Sequence, residues 1–214
     1  MTSTSTETTR FVVRSIATTS VENEEYFGQL DAVVGDGDFG FSLARGFEKV
    51  LESLDGYPDE SPSALLQAVA MTISSSIGGT SGPIWGTAFL RASTSVRGAD
   101  DLDGPTIVAM LRASAQGIMA RGKAELGEKT LLDALIPATD ALEEALNETS
   151  DSRLLLERFA RAMREAAEAT SALQAMRGRA SYSGARSIGS PDAGAIALAV
   201  LTERLAEQWP ERPR

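Results

Sequence analysis

Apolar residues recur at every third or fourth position along most of this chain, which is the spacing of one buried face of an α-helix. Ser61-Pro62, Asp103-Gly104-Pro105 and Asp151 are strong signals for the start of a helix. No stretch alternates apolar and polar residues in the way typical of a half-buried strand. The sequence therefore predicts one all-α domain of about eight helices over residues 10–210. The helical spacing is clearest in one run: Leu43, Phe47, Val50, Leu51 and Leu54.

Other patterns place the ends of individual elements. Residues 1–9 are polar and low in complexity, so we expect a disordered N-terminal tail. We expect a first helix over residues 11–18, and Ser20 as the N-cap of a second. The helix that Asp151 opens is expected to reach about Met176.

The segment richest in chemistry is the acidic loop, residues 31–40, which places Asp31, Asp36 and Asp38 among three glycines. Glycine gives the backbone the freedom to turn neighbouring carboxylates toward one point. Three close carboxylates repel one another unless a cation lies between them, and oxygen ligands without His or Cys suit Mg²⁺ or Ca²⁺. The spacing does not fit a calcium EF-hand, so the alternatives are Mg²⁺ beside a phosphate and a solvated Asp-Gly turn.

Three further loops combine glycine with polar groups, and each alone could be a plain connection. The glycine loop, residues 78–82, precedes Pro83 and would direct free backbone amides at an anion, although it is not a Walker A loop. The charged loop, residues 122–130, is punctuated by glycine. The arginine loop, residues 178–194, follows Arg177 and is long enough to be functional. In an up-and-down helical domain all four loops can meet at one end, where their groups would suit phosphoryl transfer.

Composition narrows the function further. A net charge of -10 argues against nucleic acid or an anionic membrane as the main partner. No apolar run has membrane-spanning length and no signal-peptide core is present, so we expect a cytoplasmic protein. The chain contains no histidine and no cysteine, which excludes serine–histidine triads, histidine bases and disulfides within it.

Taken in order, these motifs resemble the nucleotide-binding L subunit of dihydroxyacetone kinase from about residue 10 to the end. The resemblance implies a barrel of eight antiparallel amphipathic helices that binds ATP or ADP and two Mg²⁺ ions at one end. Four segments carry it: Leu30-Asp31 with Gly35-Asp36-Gly37-Asp38-Phe39-Gly40, Gly78-Gly79-Thr80-Ser81-Gly82-Pro83 with Gly86-Thr87, Arg121-Gly122-Lys123-Ala124-Glu125 with Gly127-Glu128-Lys129-Thr130, and Gly178-Arg179-Ala180-Ser181-Tyr182 with Arg186-Ser187-Ile188-Gly189.

The resemblance also implies a role for each site residue. Asp31, Asp36 and Asp38 would be the Mg²⁺ ligands and, through the metal, the catalytic residues. The nucleotide phosphates would lie against two short stretches, namely Phe39, Gly40, Phe41 and Ser42, and Gly79, Thr80 and Ser81. The base and sugar would be enclosed by Gly122, Leu131, Arg179, Asp192, Ala193 and Gly194.

In this family the ketose is held on a separate K subunit through a histidine, so the chain is expected to need that partner. Some members are recharged by a phosphocarrier subunit and usually carry Asp-Ala-Asp-His-Gly. Asp36-Gly37-Asp38 is more similar to the ATP-dependent kinases, so ATP is the preferred donor. Phe39 stands where that motif has histidine, and Ser190-Pro191-Asp192-Ala193 replaces His-Gln-Asp-Pro. The ketose, whether dihydroxyacetone or erythrulose, stays open, as does the oligomeric state, a homodimer included.

Two functions of different classes follow. The first is an enzyme subunit that transfers a phosphoryl group from Mg²⁺-bound nucleotide to a short ketose on a partner. The second is a regulatory module that reports nucleotide state to a transcription factor or another protein. A helical scaffold with fortuitous glycine loops is the third alternative, and Mg²⁺-dependent nucleotide binding would exclude it.

Overall fold

The computed structural model describes residues 4–99 and 101–210, and every regular element in these residues is a helix. Three 3₁₀ segments, Leu54–Gly56, Thr170–Ala172 and Arg179–Ser187, accompany the α-helices. The α-helices of this described part are α1 (Thr4–Glu22), α2 (Glu24–Ala32), α3 (Phe39–Ser53), α4 (Pro62–Ser76), α5 (Ser81–Ser95), α6 (Gly104–Gly122), α7 (Leu132–Ala145), α8 (Ser152–Ala169) and α9 (Ala193–Gln208).

Eight of these helices form a closed ring. Each packs on the next in the order α1, α3, α4, α5, α6, α7, α8 and α9, and α9 packs back on α1. The short α2 lies beside α3 and leads into the acidic loop. The predicted all-α, single-domain barrel of about eight helices is confirmed.

Two groups of buried apolar side chains fill the ring. One group includes Phe27 and Phe47 and lies mainly among α1 to α5. The other includes Phe159 and Met163 and lies among α6 to α9. Residues of α9 such as Leu198 contact both groups. The two groups therefore form one continuous interior inside the ring.

The predicted helix starts are confirmed by side-chain caps. The Ser61 hydroxyl accepts a hydrogen bond from the amide of Ala64 at 3.2 Å. The Asp103 carboxylate accepts one from Thr106 at 2.9 Å, and Asp151 accepts one from Arg153 at 2.9 Å. Each cap satisfies an amide that has no partner inside its helix.

The prediction of a disordered tail is wrong for residues 4–9, while residues 1–3 lie outside the described residues. Helix α1 begins at Thr4, and Thr6 and Thr9 are buried. The Ser5 hydroxyl donates to the Asp101 carboxylate at 2.8 Å. Tertiary burial therefore overrides the weak helix propensity of this Ser/Thr-rich stretch.

Two helix boundaries also differ from expectation. Ser20 is not an N-cap, because α1 continues to Glu22 and the Ser20 hydroxyl donates to the Ile16 carbonyl within it. The break falls at Asn23 instead. Helix α8 ends at Ala169 rather than near Met176, and a 3₁₀ turn follows it.

Charge is distributed unevenly around the ring. Helices α4, α5 and α6 contain no Asp or Glu, although the whole chain has 30 acidic residues. A groove of about 410 Å³ between α5 and α6 is lined by Arg91 and Arg121, and neither has a carboxylate partner in the described part of the chain. None of the described helices combines the length and apolar character needed to cross a membrane.

Candidate functional site

The acidic loop brings its three carboxylates together, as the sequence predicts. Asp31 lies in the last turn of α2, and its carboxylate accepts a hydrogen bond from the Gly37 amide at 2.8 Å. Gly37 has a φ of 76°, a conformation that favours glycine, and this turn places Asp36 and Asp38 on either side of it. One carboxylate oxygen from each of Asp31, Asp36 and Asp38 lies within 4.8 Å of the others.

The electrostatics of this cluster favour a bound cation. Burial raises the pKa of Asp31, the neighbouring charges of Asp36 and Asp38 raise it further, and backbone hydrogen bonds from Gly37 and Phe39 oppose this shift. Asp36 and Asp38 are exposed, so a hydrated ion can reach them. A set of oxygen donors with no nitrogen or sulfur fits Mg²⁺.

The start of α3 packs tightly against α2. Gly40 is buried, and a Cβ added there would lie 2.0 Å from the Glu24 carbonyl oxygen, so only glycine permits this approach. The ring of Phe39 lies 6.2 Å from that of Phe27 and belongs to the core. The sequence left the role of Phe39 undetermined; its side chain is partly buried and packs against the core.

Phe41 and Ser42 complete this first turn. Phe41 is 56% exposed, and the guanidinium of Arg45 lies 5.6 Å from its ring centroid. The Ser42 amide donates to the Asp38 carbonyl at 2.9 Å, which closes the first turn of the helix. Asp38 makes no capping hydrogen bond, so the amides of Gly40 and Phe41 have no side-chain cap.

The glycine loop presents a second set of free amides. Gly79 has a φ of 64°, and Thr80 precedes α5 without a side-chain cap. Ile77, just after α4, packs on Gly46 of α3, and the connection 54–61 joins the other ends of these two helices. The glycine loop therefore lies at the same end of the ring as the acidic loop. Exposed, uncapped amides at a helix N-terminus are suited to bind an anion.

The charged loop and the start of α9 lie on the other side of the candidate site from the acidic loop. A Cβ added at Gly122 would lie 3.2 Å from Cδ1 of Ile84, which links this loop to α5. Similarly, a Cβ added at Gly194 would lie 3.4 Å from Cβ of Leu131. Ala193 begins α9 beside it. These close approaches bring the charged loop, the start of α5 and the start of α9 together.

Asp192 caps α9 and is strongly perturbed. Its carboxylate accepts a hydrogen bond from the Ala195 amide at 2.8 Å. Burial raises the pKa of Asp192 to about 6, with a smaller raising contribution from Asp133 and an opposing one from Lys129. The hydrogen bonds of the Asp192 side chain are therefore those of a helix N-cap.

Of the three arginines that the sequence offered for anion contact, one faces the carboxylates. The Arg179 guanidinium lies 2.6 Å from the Asp36 carboxylate and 3.8 Å from that of Asp38. Arg177 pairs instead with Glu128 at 2.6 Å, and Arg186 donates to the Ser183 carbonyl in its own loop. Arg179 therefore joins the arginine loop to the acidic loop.

Sequence reasoning missed the residues that hold these loops. Lys129 is only 3% exposed, and its ammonium donates to backbone carbonyls of Leu173, Ser187 and Ser190. The Ser183 hydroxyl donates to the Val34 carbonyl at 3.0 Å, across the site. Burial is predicted from sequence by the regular spacing of apolar residues, and a lysine in a polar loop has no such spacing. The burial of Lys129 could therefore not be predicted from the sequence.

The fold and the site define an all-helical domain that gathers carboxylates, free amides and a guanidinium at one end of its ring. Comparison with known proteins identifies this class more closely. A family model described as the DAK2 domain matches residues 33–207. The chain belongs to the DAK2 domain family.

The chain is similar to several kinases. It is 38% identical over 182 residues to the PEP-dependent dihydroxyacetone kinase, ADP-binding subunit DhaL, of Escherichia coli strain K12, covering 85% of this chain and 87% of that protein. It is 34% identical over 198 residues to L-erythrulose 1-kinase of Mycolicibacterium smegmatis, covering 92% of this chain and 34% of that protein.

The fold is also found in a solved structure, the dihydroxyacetone kinase of C. freundii in complex with AMP-PNP and Mg²⁺. The TM-score is 0.74 at 24% identity, over 97% of this chain and 34% of that one. The chain therefore spans about a third of the length of these two larger kinases.

Proposed function

We propose that this chain is the nucleotide-binding subunit of a ketose kinase, which transfers a phosphoryl group from a Mg²⁺-bound nucleotide to a short ketose. The observation that carries this proposal is the meeting of the carboxylate cluster, the free amides of α5 and Arg179 in a DAK2 domain. The similarity to a protein named an ADP-binding subunit supports it, as does the structural likeness to a kinase bound to AMP-PNP and Mg²⁺.

Asp31, Asp36 and Asp38 would hold two Mg²⁺ ions. The bound metal would neutralise charge on the phosphates and on the phosphoryl group in transit. Asp31 is fixed by its hydrogen bond to Gly37, whereas the exposed Asp36 and Asp38 can adjust to the ions. The resemblance put Arg179 beside the base and sugar, but its ion pair with Asp36 favours a position beside the phosphates. Arg179 is 52% exposed, so it can turn from Asp36 toward a phosphate once cations occupy the cluster.

The nucleotide would lie between the four loops. Its phosphates would lie against residues 39–42, where the amides of Gly40 and Phe41 are free to donate, and against Gly79, Thr80 and Ser81. Its base and sugar would occupy the side lined by Gly122, Leu131 and residues 192–194. The close approach of Gly122 to Ile84 and of Gly194 to Leu131 supports this placement, because it brings these residues together beside the glycine loop.

The ketose would be bound by a partner, a K subunit. The chain contains no histidine, the side chain that most often acts as a general base, which supports acid–base chemistry on that partner. L-erythrulose 1-kinase is about three times as long as the segment matched here. The donor would be ATP, or ADP recharged by a phosphocarrier subunit, and the Asp-Gly-Asp spacing favours ATP.

Calorimetric titration tests the nucleotide site directly. ADP and ATP should bind in the presence of Mg²⁺, and binding should be lost with EDTA and in Asp36→Ala. Glu144→Ala is a matched control, since it removes an exposed carboxylate in the last turn of α7, at the opposite end of that helix from the charged loop. Binding that ignores Mg²⁺ and survives Asp36→Ala would contradict the proposal.

Turnover tests the activity. The chain, a purified K subunit, Mg²⁺ and ATP should phosphorylate dihydroxyacetone or erythrulose, with neither protein active alone. If ATP fails and a phosphocarrier succeeds, the donor assignment changes while the kinase remains. If Mg²⁺-nucleotide binds but no ketose reacts with either donor, the regulatory module becomes the better explanation. The kinase names of the relatives above favour the enzyme.

A further inference from the structure

Two consecutive residues of the charged loop hold both ends of the arginine loop. The Glu128 carbonyl accepts a hydrogen bond from the Met176 amide at 3.0 Å, and its carboxylate accepts two from the Arg177 guanidinium, at 2.6 and 2.7 Å. Lys129 donates to the Ser187 carbonyl and, at 2.5 Å, to that of Ser190. We call Glu128 and Lys129 the anchor pair.

The environment of Lys129 is unusual for a lysine. Its side chain is nearly fully buried, and no carboxylate lies within ion-pair distance of it in the described part of the chain. Its three N–H groups are satisfied by three backbone carbonyls, the third being that of Leu173 at 3.0 Å. Burial lowers the pKa of Lys129. A buried ammonium is costly, and these charge-assisted hydrogen bonds offset that cost.

The backbone of Lys129 is also strained. Its φ is 60°, in the left-handed region that residues other than glycine rarely adopt. Strain of this kind persists where the surrounding contacts over-determine the conformation. The contacts available here are the three hydrogen bonds of the ammonium, two of which reach the arginine loop.

The held loop carries Arg179 to the carboxylate cluster. Between its two fixed ends, the arginine loop touches the acidic loop through the Arg179–Asp36 ion pair and the Ser183–Val34 hydrogen bond. Arg179 itself is half exposed, so its position depends on the backbone that bears it. A loop fixed at both ends can present this guanidinium with little loss of conformational entropy on binding.

We propose that Lys129, assisted by Glu128, is a positioning residue that holds the arginine loop so that Arg179 faces the phosphates of the bound nucleotide. This inference rests on the proposed function for the role of Arg179 at a nucleotide. The holding of the loop itself does not depend on any ligand. The two parts are therefore tested by different measurements.

The first measurement is hydrogen–deuterium exchange of residues 177–190 without nucleotide, in Lys129→Met. Methionine keeps an unbranched apolar chain and removes all three donors, so exchange in this loop should rise by about 10–100-fold while α3 to α5 stay protected. Lys123→Met is the matched control. Lys123 is also left-handed, with a φ of 50°, lies in the same loop, and is exposed without a described partner. Equal exchange in wild type and Lys129→Met would overturn the proposal.

The second measurement is a double-mutant cycle on the affinity for Mg²⁺·ADP. Lys129→Met should weaken binding about 10-fold, yet have no further effect in an Arg179→Ala background, because its action passes through Arg179. Additive losses would overturn the positioning role, since they would mean that Lys129 acts by another route. If wild type itself fails to bind Mg²⁺·ADP, the proposed function fails, and the exchange experiment still decides whether the anchor pair holds the loop.

Two further variants test the proposal if Lys129→Met does not fold. Glu128→Ala removes the other half of the anchor pair at a more exposed position, and should raise exchange at residues 177–181 first. Because the chain has no cysteine, Lys129→Cys can be alkylated in the unfolded protein with 2-bromoethylamine. The thiolate displaces bromide and leaves an ammonium at lysine length. Refolding should then restore slow exchange and Mg²⁺·ADP affinity, and failure of this rescue would contradict the proposal.

Discussion

The acidic loop and the arginine loop face each other across the site, and they are held in opposite ways. Asp36 and Asp38 are exposed, and the acidic loop is shaped by local backbone contacts and a glycine turn. The arginine loop is fixed by buried groups, chiefly Lys129. The exposed carboxylates of the acidic loop are therefore not needed for folding. The arginine loop, in contrast, depends on the buried ammonium of Lys129. Substitutions in the acidic loop should reduce activity without reducing stability, whereas substitutions that release the arginine loop should reduce both.

The largest expected effect is on the exposed side. Asp36→Ala and Asp38→Ala should each reduce ketose phosphorylation by about 100-fold or more, because each removes a metal ligand from the cluster. The midpoint of thermal unfolding should stay nearly constant, since surface substitutions are usually worth less than about 0.5 kcal/mol. A coupled assay with a K subunit, run beside calorimetric unfolding, measures both. If a variant loses stability in proportion to its loss of activity, the exposed carboxylates are needed for folding and the contrast between the two loops is wrong.

The contact beneath the acidic loop should be sensitive for a different reason. In Gly40→Ala the new Cβ would meet backbone of α2, which cannot move aside cheaply. We expect a loss of about 2–3 kcal/mol in the free energy of unfolding, the upper range for overpacking. Gly78→Ala is the control, because no atom lies within 4 Å of that Cβ position. Urea denaturation of the two variants should give clearly different midpoints, and similar midpoints would show that α2 and α3 can separate freely.

On the buried side, pH should change stability through Asp192. Its pKa in the folded protein, about 6, lies above the usual value of 3.8, so the folded state binds the proton more tightly than the unfolded state. Stability therefore falls as pH rises from about 4 to 6, by about 1–2 kcal/mol if this group dominates. Asn is also a good N-cap, so Asp192→Asn should remove this slope and retain the cap. An unchanged slope in denaturation curves of that variant would assign it to other groups.

The smallest effect is expected at Phe41. Its ring is largely exposed and contacts Arg45, a surface arrangement worth about 0.5 kcal/mol. Phe41→Ala should therefore leave stability and Mg²⁺·ADP affinity almost unchanged, because the proposed contact of this residue with phosphate is through its amide. A tenfold loss of affinity in calorimetry would show instead that the ring itself touches the nucleotide.

Much of the fold could be predicted because its signals are local. Ser61, Asp103 and Asp151 are side chains whose capping geometry depends only on neighbouring residues. The spacing of apolar residues then fixes which face of each helix is buried. The carboxylates of the acidic loop lie within eight residues of one another, so their meeting also follows from local chain geometry.

The errors and omissions came from contacts between distant residues. The Ser/Thr-rich start of α1 is helical because it packs in the tertiary structure, for example through Ser5 and Asp101. Lys129 is buried by carbonyls that lie 44 to 61 residues further along the chain. Arg177, Arg179 and Arg186 look alike in sequence, and only the path of the arginine loop separates the one that faces the carboxylates.

The absence of acidic residues from α4, α5 and α6 gives the molecule a polarity that its net charge conceals. The acidic residues lie on the remaining helices and in the connections, whereas the sector of α5 and α6 that holds Arg91 and Arg121 is locally positive. A polyanion that approaches at random is repelled by most of the surface and attracted by this sector. The rate of its encounter with this sector should therefore fall as salt screens the charges of Arg91 and Arg121, over a distance of about 10 Å at 0.1 M ionic strength.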